Sequence, residues 1–323
     1  MKVTVLGAAG FIGGHMVRRL LEDGHEVRAV DICETESWWQ TSPDAESVGE
    51  ADLRDPNVAR AAVKGADWVY DLAEDMGGVV WLEANRADGL ASFRIVLNVA
   101  EACAAEGVER MWFASSACSY NTDLQQTPDV IALREEDAWP ARPEKGYGEA
   151  KLMGERLCEY YTAEGRLDTR VGRYHAIFGP NGSWRGGREK SPAALARKVA
   201  EAVLSGNHEI AVFGDGLQTR SFCFVDDCLE GTLRLMASDY SAPVNIGSSE
   251  LVTIDQVVDI LEDIAGVQLE RRYELDAPQG VRGRSSDNAL VKQVLDGWEP
   301  SIPLRTGLER TYAWIFDQVK QSM

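Results

Sequence analysis

The sequence predicts an α/β fold in which a doubly wound parallel sheet is followed by a smaller C-terminal α/β lobe. Through the first half of the 323 residues, short apolar runs alternate with amphipathic segments of helical length. This alternation is typical of a parallel sheet covered by helices on both faces. After the Gly-, Pro- and Asn-rich segment 178–187, the regular alternation of apolar runs and helical segments ends. We therefore expect one domain over residues 1–177 and a second lobe over 178–323, from which the chain can cross back to the sheet.

The elements of the first domain follow from its apolar periodicity. Short apolar runs predict strands at 2–7, 26–31, 67–73, 110–115 and 167–175. Apolar residues at helical spacing predict the helices between them, at 11–24, 56–65, about 85–106 and 146–165. Pro56 opens one of these helices, a position that suits proline because the first N–H group of a helix has no partner within it.

The second lobe is expected to mix helices with short strands. Apolar periodicity predicts helices near 191–205, 225–238, 253–265 and 303–320. Short strands are predicted near 209–213, 219–225, 243–246 and 268–273.

Composition argues against several functions. The net charge of −19 argues against binding to nucleic acid or to anionic membranes, and no apolar run approaches the ~20 residues that a membrane span needs. The first residues predict a strand rather than a signal peptide. The six cysteines show no CxxC pair and no Cys/His ligand spacing. We therefore expect reduced thiols, no metal site and a cytoplasmic protein.

A glycine-rich turn joins the first predicted strand to the first predicted helix. The segment "GAAGFIG" places Gly7, Gly10 and Gly13 in a GxxGxxG pattern. Such glycines let the backbone approach a pyrophosphate, while the helix N-terminus offers free N–H groups and a positive dipole end. The order of strand, turn, helix and strand is that of a Rossmann-type dinucleotide site. We expect the turn to bind the cofactor with Gly7, Gly10, Phe11, Ile12 and Gly13.

Two carboxylates indicate which dinucleotide binds. Asp31 closes the second predicted strand, where a carboxylate bonds the ribose hydroxyls and repels a 2′-phosphate. Asp52, in "ADLRD", is a candidate contact to the adenine edge. Asp31 therefore favours NAD over NADP as the cofactor.

A second motif supplies candidate catalytic residues. In "YGEAK", Tyr147 and Lys151 stand four residues apart and share one helix face. A phenol has an ordinary pKa of about 10, but a neighbouring ammonium and the nicotinamide charge both favour phenolate. Such a tyrosine can take a proton from a sugar hydroxyl as hydride leaves the same carbon. Of the serines that end the strand before it, Ser116 is preferred to Ser115 for sharing the substrate oxygen.

Together these motifs resemble the extended short-chain dehydrogenase/reductase family, over the whole chain. The resemblance implies an NAD-binding Rossmann domain at 1–177 and a lobe at 178–323 that binds a nucleotide sugar, with the active site between them. Tyr147 and Lys151 would then also contact the cofactor.

Within that family the chain most resembles the GDP-mannose 3,5-epimerases. The similar blocks are "DLAEDMGG" (71–78), "ASSAC" (114–118), "AWPARPEKGYGEAKL" (138–152), "GRYHAIFGPNGSWRGGREKSPAA" (172–194), "FGDGLQTRSFCFVDD" (213–227), "PVNIGS" (243–248) and "GVRGRSSDN" (280–288). The resemblance implies that Cys118 and Lys190 transfer protons beside Tyr147, Lys151 and Ser116. It also implies a homodimer formed by the helices at about 85–106 and 146–165.

The implied chemistry explains this set of residues. Protons on C3 and C5 of a hexose become removable once C4 is a ketone, because both carbons are then alpha to a carbonyl. Inversion needs a base on one face and an acid on the other, and a thiol and a buried amine can serve. Hydride finally returns to C4, so the reaction has no net redox change.

Basic residues in the second lobe are candidate ligands of a nucleotide diphosphate, since arginine forks suit phosphate oxygens. Arg220 and Arg284 match the substrate-binding blocks best. The full set of expected substrate contacts is Gly77, Gly78, Ser116, Trp184, Arg188, Lys190, Gln218, Arg220, Arg282 and Arg284.

The chain departs from the epimerase pattern at three places. Ala176 stands where the family has an asparagine that contacts the substrate, so the sugar or its pose can differ. Asn121 follows Tyr120 where a proline-containing turn is usual. The loop past Gly78 differs as well, and Trp81 can reshape the pocket there.

Other functions stay open on the sequence alone. A cysteine after a strand is usually a packing residue, and His175 is expected to be a buried structural histidine. The same 4-keto intermediate can lead to a single epimerisation at C5 or C4, or to dehydration of another sugar. Ala117 and Cys118 stand where 4,6-dehydratases carry an Asp-Glu pair, which argues against dehydration. A non-catalytic NAD-binding regulator is disfavoured because both Tyr147 and Lys151 are present.

Overall fold

The computed structural model describes residues 1–323. Its strands are β1 (Lys2–Leu6), β2 (Glu26–Val30), β3 (Glu46–Val48), β4 (Trp68–Asp71), β5 (Arg110–Ser116), β6 (Asp168–Tyr174), β7 (Ile177–Phe178), β8 (Glu209–Phe213), β9 (Thr219–Ser221), β10 (Cys223–Phe224), β11 (Val244–Ile246), β12 (Leu251–Thr253), β13 (Glu270–Glu274) and β14 (Gly283–Arg284). Its α-helices are α1 (Phe11–Glu22), α2 (Pro56–Val63), α3 (Val79–Ala84), α4 (Arg86–Ala91), α5 (Phe93–Glu106), α6 (Tyr147–Ala163), α7 (Ser191–Ser205), α8 (Val225–Ala237), α9 (Ile254–Ala265), α10 (Ala289–Val294) and α11 (Leu304–Ser322).

Seven strands form the central sheet, in the order β11-β6-β5-β4-β1-β2-β3. Every neighbouring pair in it is parallel. The order runs outward from β1 in both directions, which makes the sheet doubly wound and confirms the predicted fold class. In such sheets, ligands bind in the crevice beyond the carboxyl ends of the strands.

Apolar clusters cover both faces of this sheet. On one face, Val3, Tyr70 and Trp112 belong to a cluster that also contains Leu195 and Ile254 of the second lobe. The sheet and the lobe therefore share one core. On the opposite face, a separate cluster joins Leu6 and Phe113 of the sheet to Ala59 of α2, Val99 of α5 and Cys158 of α6.

Local sequence signals set the ends of several helices. Proline occupies the first turn of α2, and the Asp55 carboxylate before it accepts a hydrogen bond from the Asn57 N–H at 2.8 Å, the usual cap for free N–H groups. Thr253 and Gln256 form a reciprocal capping box at the start of α9. Gly107 and Gly206 end α5 and α7 in the left-handed conformation that favours glycine.

The second lobe contains three small sheets, and the chain returns from it to the central sheet. Strand β8 pairs with β13, β9 lies between β12 and β14, and β10 pairs with β7. Strand β11 extends the central sheet beside β6, which is the crossing back that the sequence pattern allows. No helix is both long enough and apolar enough to cross a bilayer.

Two elements that the sequence predicts as continuous are each divided in the structure. The helix expected at about 85–106 is divided into α4 and α5 at Ser92, whose hydroxyl donates to the Asp88 carbonyl at 3.3 Å. Such back-bonding by serine often bends a helix. The strand expected at 219–225 is split into β9 and β10, which belong to different sheets, and Val225 already begins α8.

Candidate active site

The glycine turn after β1 leaves no room for larger residues at two positions. Gly7 has a φ of +79°, and a Cβ atom there would lie 2.7 Å from the Leu72 carbonyl oxygen. A Cβ atom on Gly13 would lie 2.0 Å from the Gly7 carbonyl oxygen. Helix α1 therefore packs directly on the turn, with Gly10 immediately before its first residues, Phe11 and Ile12. This close approach leaves the helix N-terminus open to a pyrophosphate.

Asp31 lies beside this turn, directly after β2. Its carboxylate is buried and accepts hydrogen bonds from the N–H groups of Ala9 and Cys33, each at 3.0 Å. Each oxygen keeps lone-pair capacity for a ribose hydroxyl. The turn and Asp31 thus fit the pyrophosphate and ribose of NAD. The Asp52 carboxylate forms an ion pair with Arg54 at 2.8 Å, so its contact with adenine stays a prediction.

We expect NAD to bind more tightly than NADP by about tenfold or more, a difference of at least about 1.4 kcal/mol. The reason is repulsion between the Asp31 carboxylate and a 2′-phosphate at the ribose. Titration of the protein with both dinucleotides measures this preference, and Asp31→Ser should reduce it. A clear preference for NADP in the unsubstituted protein would contradict the assignment.

A cavity of about 430 Å³ lies between the sheet and the second lobe. Residues after β4, at the end of β5 and at the start of α6 line one side, and segments of the second lobe line the other. The sequence-predicted residues that line it are Gly77, Gly78, Ser116, Cys118, Tyr147, Lys190, Gln218, Arg220 and Arg284. Trp184, Arg188 and Arg282 are not among the lining residues, and Lys151 lies behind Tyr147.

Tyr147 and Lys151 share one face of α6, as their spacing predicts. The Lys151 Nζ atom lies 5.5 Å from the centre of the Tyr147 ring and 4.9 Å from that of Phe113. Ser116 ends β5 and faces the cavity. The Ser115 hydroxyl instead donates to the buried carboxylate of Glu155. Of the two serines, Ser116 is therefore the one available to a substrate.

Glu74, which the sequence did not single out, forms an ion pair with Lys151. Both side chains are largely buried, and the second carboxylate oxygen of Glu74 has no hydrogen-bond partner. Burial raises the pKa of nearby Asp71 to about 7, with Lys151 opposing the shift and Glu74 adding to it. No spacing in the sequence connects the end of β4 with α6, so only the fold reveals this cluster.

Several surroundings of Tyr147 oppose ionisation of its phenol. Burial raises the pKa of Tyr147 well above its ordinary value, and the Glu74 carboxylate raises it further. The Ser116 hydroxyl opposes the shift by hydrogen bonding. Burial is the largest cause, and the Glu74 carboxylate, which pairs with the Lys151 ammonium, is the second. When NAD is bound, the positive charge of the nicotinamide would add to the influence of Ser116 in favour of ionisation.

Cys118 lies in a single 3₁₀ turn, Ala117–Ser119, just beyond β5. Its N–H group donates to the Ser116 hydroxyl at 3.2 Å, and Arg284 Nη1 donates to its sulfur at 3.5 Å. Burial raises the pKa of the Cys118 thiol, the Glu144 carboxylate raises it further, and Arg284 opposes both. The group is therefore a protonated thiol facing the cavity.

Lys190 stands immediately before α7, on the lobe side of the cavity. Burial lowers its pKa, while the neighbouring Cys118 opposes the shift. A lysine of this kind is neutral for a larger fraction of the time and can accept a proton. The cavity thus holds a thiol with a raised pKa and an amine with a lowered pKa.

The predicted phosphate-binding residues separate into two groups. Arg220 and Arg284 reach the cavity; burial and the charge of Arg284 lower the pKa of Arg220 to about 10. Arg188 is paired with Asp75 at 2.8 Å, and Arg282 is paired with Asp215 at 3.0 Å. Trp184 packs in the core, where its carbonyl accepts a hydrogen bond from Arg197.

The departures from the epimerase pattern have distinct surroundings. Ala176 lines the cavity with a φ of +42°, in the left-handed region. The Asn121 side chain accepts a hydrogen bond from the Asp123 N–H and donates one to the Pro140 carbonyl, so it supports the loop. Arg188 lies 4.5 Å above the Trp81 ring.

Burial lowers the pKa of His175 to about 3, as expected for a structural histidine.

Comparison with known proteins agrees with this geometry. A family model described as "NAD dependent epimerase/dehydratase family" matches residues 3–247. GDP-mannose 3,5-epimerase 1 of Oryza sativa subsp. japonica is 40% identical over 322 residues, which are 99% of this chain and 83% of the rice protein. GDP-mannose 3,5-epimerase of Arabidopsis thaliana is 39% identical over 322 residues, 99% of this chain and 84% of that protein.

A solved structure shows the same overall arrangement. UDP-glucose 4-epimerase of Thermotoga maritima, crystallised with UDP-glucose, superposes with a TM-score of 0.88 at 25% identity. The match covers 99% of this chain and 100% of that chain. The fold, the glycine turn and the family match lead to one conclusion: the chain is an enzyme that uses NAD and belongs to the NAD dependent epimerase/dehydratase family.

Proposed function

We propose that this enzyme is a GDP-mannose 3,5-epimerase. The observation that carries the proposal is one cavity that contains Ser116, Tyr147, Cys118 and Lys190 together. Two epimerases named for this reaction are 40% and 39% identical to the chain over nearly its whole length. A dehydrogenase that only oxidises its substrate needs the tyrosine but has no use for a thiol and an amine at the same sugar.

Tyr147 and Ser116 act at C4 of the sugar. NAD, when bound, supplies the hydride acceptor for oxidation at C4 and the hydride donor for the later reduction. Ser116 donates a hydrogen bond to the C4 oxygen, and Tyr147 removes its proton. In the last step Tyr147 returns that proton. Lys151 and Glu74 lie behind the tyrosine and set the charge around it.

Cys118 and Lys190 act at C3 and C5. Once C4 is a ketone, one group removes a proton from a neighbouring carbon and the other delivers a proton to the opposite face. The thiol with its raised pKa is suited to donate, and the amine with its lowered pKa is suited to accept. At the second carbon the roles reverse: the Cys118 thiolate removes the proton and the Lys190 ammonium delivers one, which completes the double inversion and returns both groups to their starting states.

Arginines of the second lobe are the proposed ligands of the nucleotide. Arg220 and Arg284 already reach the cavity. Arg188 and Arg282 can bind the diphosphate only by exchanging their partners, Asp75 and Asp215, for phosphate oxygens. The chain carries a net charge of −19, so these arginines form a positively charged region in an acidic protein. Such a region suits a doubly negative diphosphate.

Product analysis tests this function directly. Incubation of the purified enzyme with GDP-mannose should give a sugar inverted at C3 and C5, identified by NMR. UDP-glucose serves as the control substrate, because the structurally similar Thermotoga maritima enzyme is a UDP-glucose 4-epimerase. Turnover of UDP-glucose without turnover of GDP-mannose would refute the proposal.

Ala176→Asn should change the placement of the sugar without abolishing catalysis. Asn is enriched in the left-handed region that Ala176 occupies, so the substitution fits the backbone, and its amide adds a polar group to the cavity. We expect altered relative rates among GDP-hexoses, or a changed ratio of C3 to C5 products. Unchanged kinetics across a substrate panel would show that residue 176 does not touch the sugar.

We expect the enzyme to be a homodimer. Large apolar side chains project from α4 and α6 into solvent: Leu90, Met153 and Tyr160 are 43%, 50% and 52% exposed. Burial of these side chains against a second copy would remove them from water. Light scattering at micromolar concentration should give the mass of a dimer. A monomer would contradict this expectation.

The proposed location is the cytoplasm. All six cysteines are free thiols in the structure, the usual state in a reducing compartment. Cell fractionation checks this location.

A further inference from the structure

Glu144 is a cavity residue for which no motif in the sequence predicts a role. It stands three residues before α6 and lines the cavity. Its N–H group donates to the Cys118 carbonyl at 3.0 Å. Its carboxylate accepts a hydrogen bond from Arg284 Nη2 at 2.5 Å. The backbone of Glu144 thus contacts Cys118 directly, and its side chain contacts the arginine that donates to the Cys118 sulfur.

Arg284 connects Glu144 to the thiol. Its guanidinium is buried and donates to three acceptors at once. Nε donates to Gln125 Oε1 at 2.6 Å, Nη2 to Glu144, and Nη1 to the Cys118 sulfur at 3.5 Å. Because the guanidinium is planar, the contacts to Gln125 and Glu144 fix where Nη1 points.

We propose that Glu144 is a positioning residue for Cys118: it holds Arg284 against the sulfur and offsets the guanidinium charge, so that Cys118 rests as a protonated thiol. The inference deepens the proposed epimerase function and rests on the role assigned there to Cys118. The consequence is that Cys118 begins the reaction as the proton donor.

The charged groups around the Cys118 sulfur support the view that Glu144 offsets the charge of Arg284. The polar and titratable groups that face it come from β5, the segment before α6, α6 itself, the segment before α7, β9 and β14: Ser116, Glu144, Tyr147, Lys190, Arg220 and Arg284. An unopposed Arg284 would favour the thiolate. Although burial opposes it, Arg284 lowers the pKa of Glu144, so the carboxylate is charged and counters the guanidinium near neutral pH.

Alkylation of Cys118 across a pH series tests the inference. The NAD-loaded enzyme is treated with iodoacetamide, and peptide mass spectrometry follows Cys118 separately from the other cysteines. In Glu144→Gln the alkylation midpoint should fall by about 1 pH unit, as expected when a like charge is removed near a titrating group. Glu189→Gln is the matched control, because Glu189 also lines the cavity but pairs with Arg197. Its midpoint should equal that of the wild type.

A second variant keeps the test decisive if Glu144→Gln does not fold. Arg284→Gln removes the positive charge, so the midpoint of Cys118 should rise instead of fall. An unchanged midpoint in either variant, or a shift of the opposite sign, would overturn the inference. Alkylation needs no turnover, so the result is independent of the proposed reaction. An enzyme inactive on GDP-mannose that still shows both shifts would refute the function and leave the role of Glu144 intact.

Discussion

Tyr147→Phe should stop isotope exchange at every carbon of the sugar. Each later step requires the C4 ketone, and the ketone forms only if a base takes the C4 hydroxyl proton as hydride leaves. Loss of a positioned acid–base group lowers rates by about 10²–10⁴-fold. Deuterium uptake from heavy water, followed by NMR on GDP-mannose, should therefore fall by that factor at C3 and C5 together. NAD binding should persist.

Tyr161→Phe is the matched control for this substitution. Tyr161 lies on the same helix, and its hydroxyl accepts a hydrogen bond from Arg166 at 3.2 Å, away from the cavity. Exchange in this variant should equal that of the wild type. If Tyr147→Phe also exchanged at the normal rate, another group would have to be the base at C4.

Cys118→Ala should separate oxidation from inversion. Tyr147 and Ser116 are untouched, so NADH should still form in part when GDP-mannose is added. Inversion with deuterium incorporation should be lost at C3 and C5, because Cys118 takes part in proton transfer at both carbons. Lys190→Ala should cause a similar loss from the opposite face. Absorbance of NADH and NMR of the sugar, measured on the same samples, distinguish the two steps.

A purely structural Cys118 would behave differently. Alanine would then lower the free energy of unfolding by a few kcal/mol at most, through a small cavity, and exchange would continue. Cys33→Ala provides the control, because Cys33 is exposed and outside the cavity. Near-normal exchange at both C3 and C5 in Cys118→Ala would remove this residue from the mechanism.

Much of the fold follows from local sequence signals. The glycine turn, the apolar runs of β1, β2, β5 and β6, and helical spacing place most of the sheet and its covering helices to within one or two residues. The short strand Glu46–Val48 was missed because all three of its residues are exposed and it carries no apolar alternation. Strand β14, of two residues, is too short for any periodicity and forms only by pairing with β9.

Part of the candidate site could be predicted from the sequence. Tyr147 and Lys151 follow from helical spacing, and Asp31 from its distance to the glycine turn. Cys118 and Lys190 came from resemblance, since a thiol after a strand carries no distinctive pattern. Glu74 and Glu144 had no signal at all: each meets its partner, Lys151 or Arg284, only through tertiary contact.

The protonation states of the site residues could not be predicted from the sequence alone, because they depend on neighbours that only the fold brings together. The spacing predicts that the Lys151 ammonium, together with the nicotinamide charge, favours ionisation of Tyr147. In the structure, burial opposes ionisation of the phenol most strongly, and the Glu74 carboxylate beside the Lys151 ammonium opposes it further. The same reasoning applies at Cys118, where Glu144 counters Arg284.

The most direct test of the central claim is wild-type enzyme with GDP-mannose in heavy water, followed by NMR. The claim is that transient oxidation at C4 makes the protons on C3 and C5 exchangeable. The account predicts deuterium at both carbons, none at C4, and no net change in bound NAD. Turnover of GDP-mannose with neither C3 nor C5 labelled would contradict it.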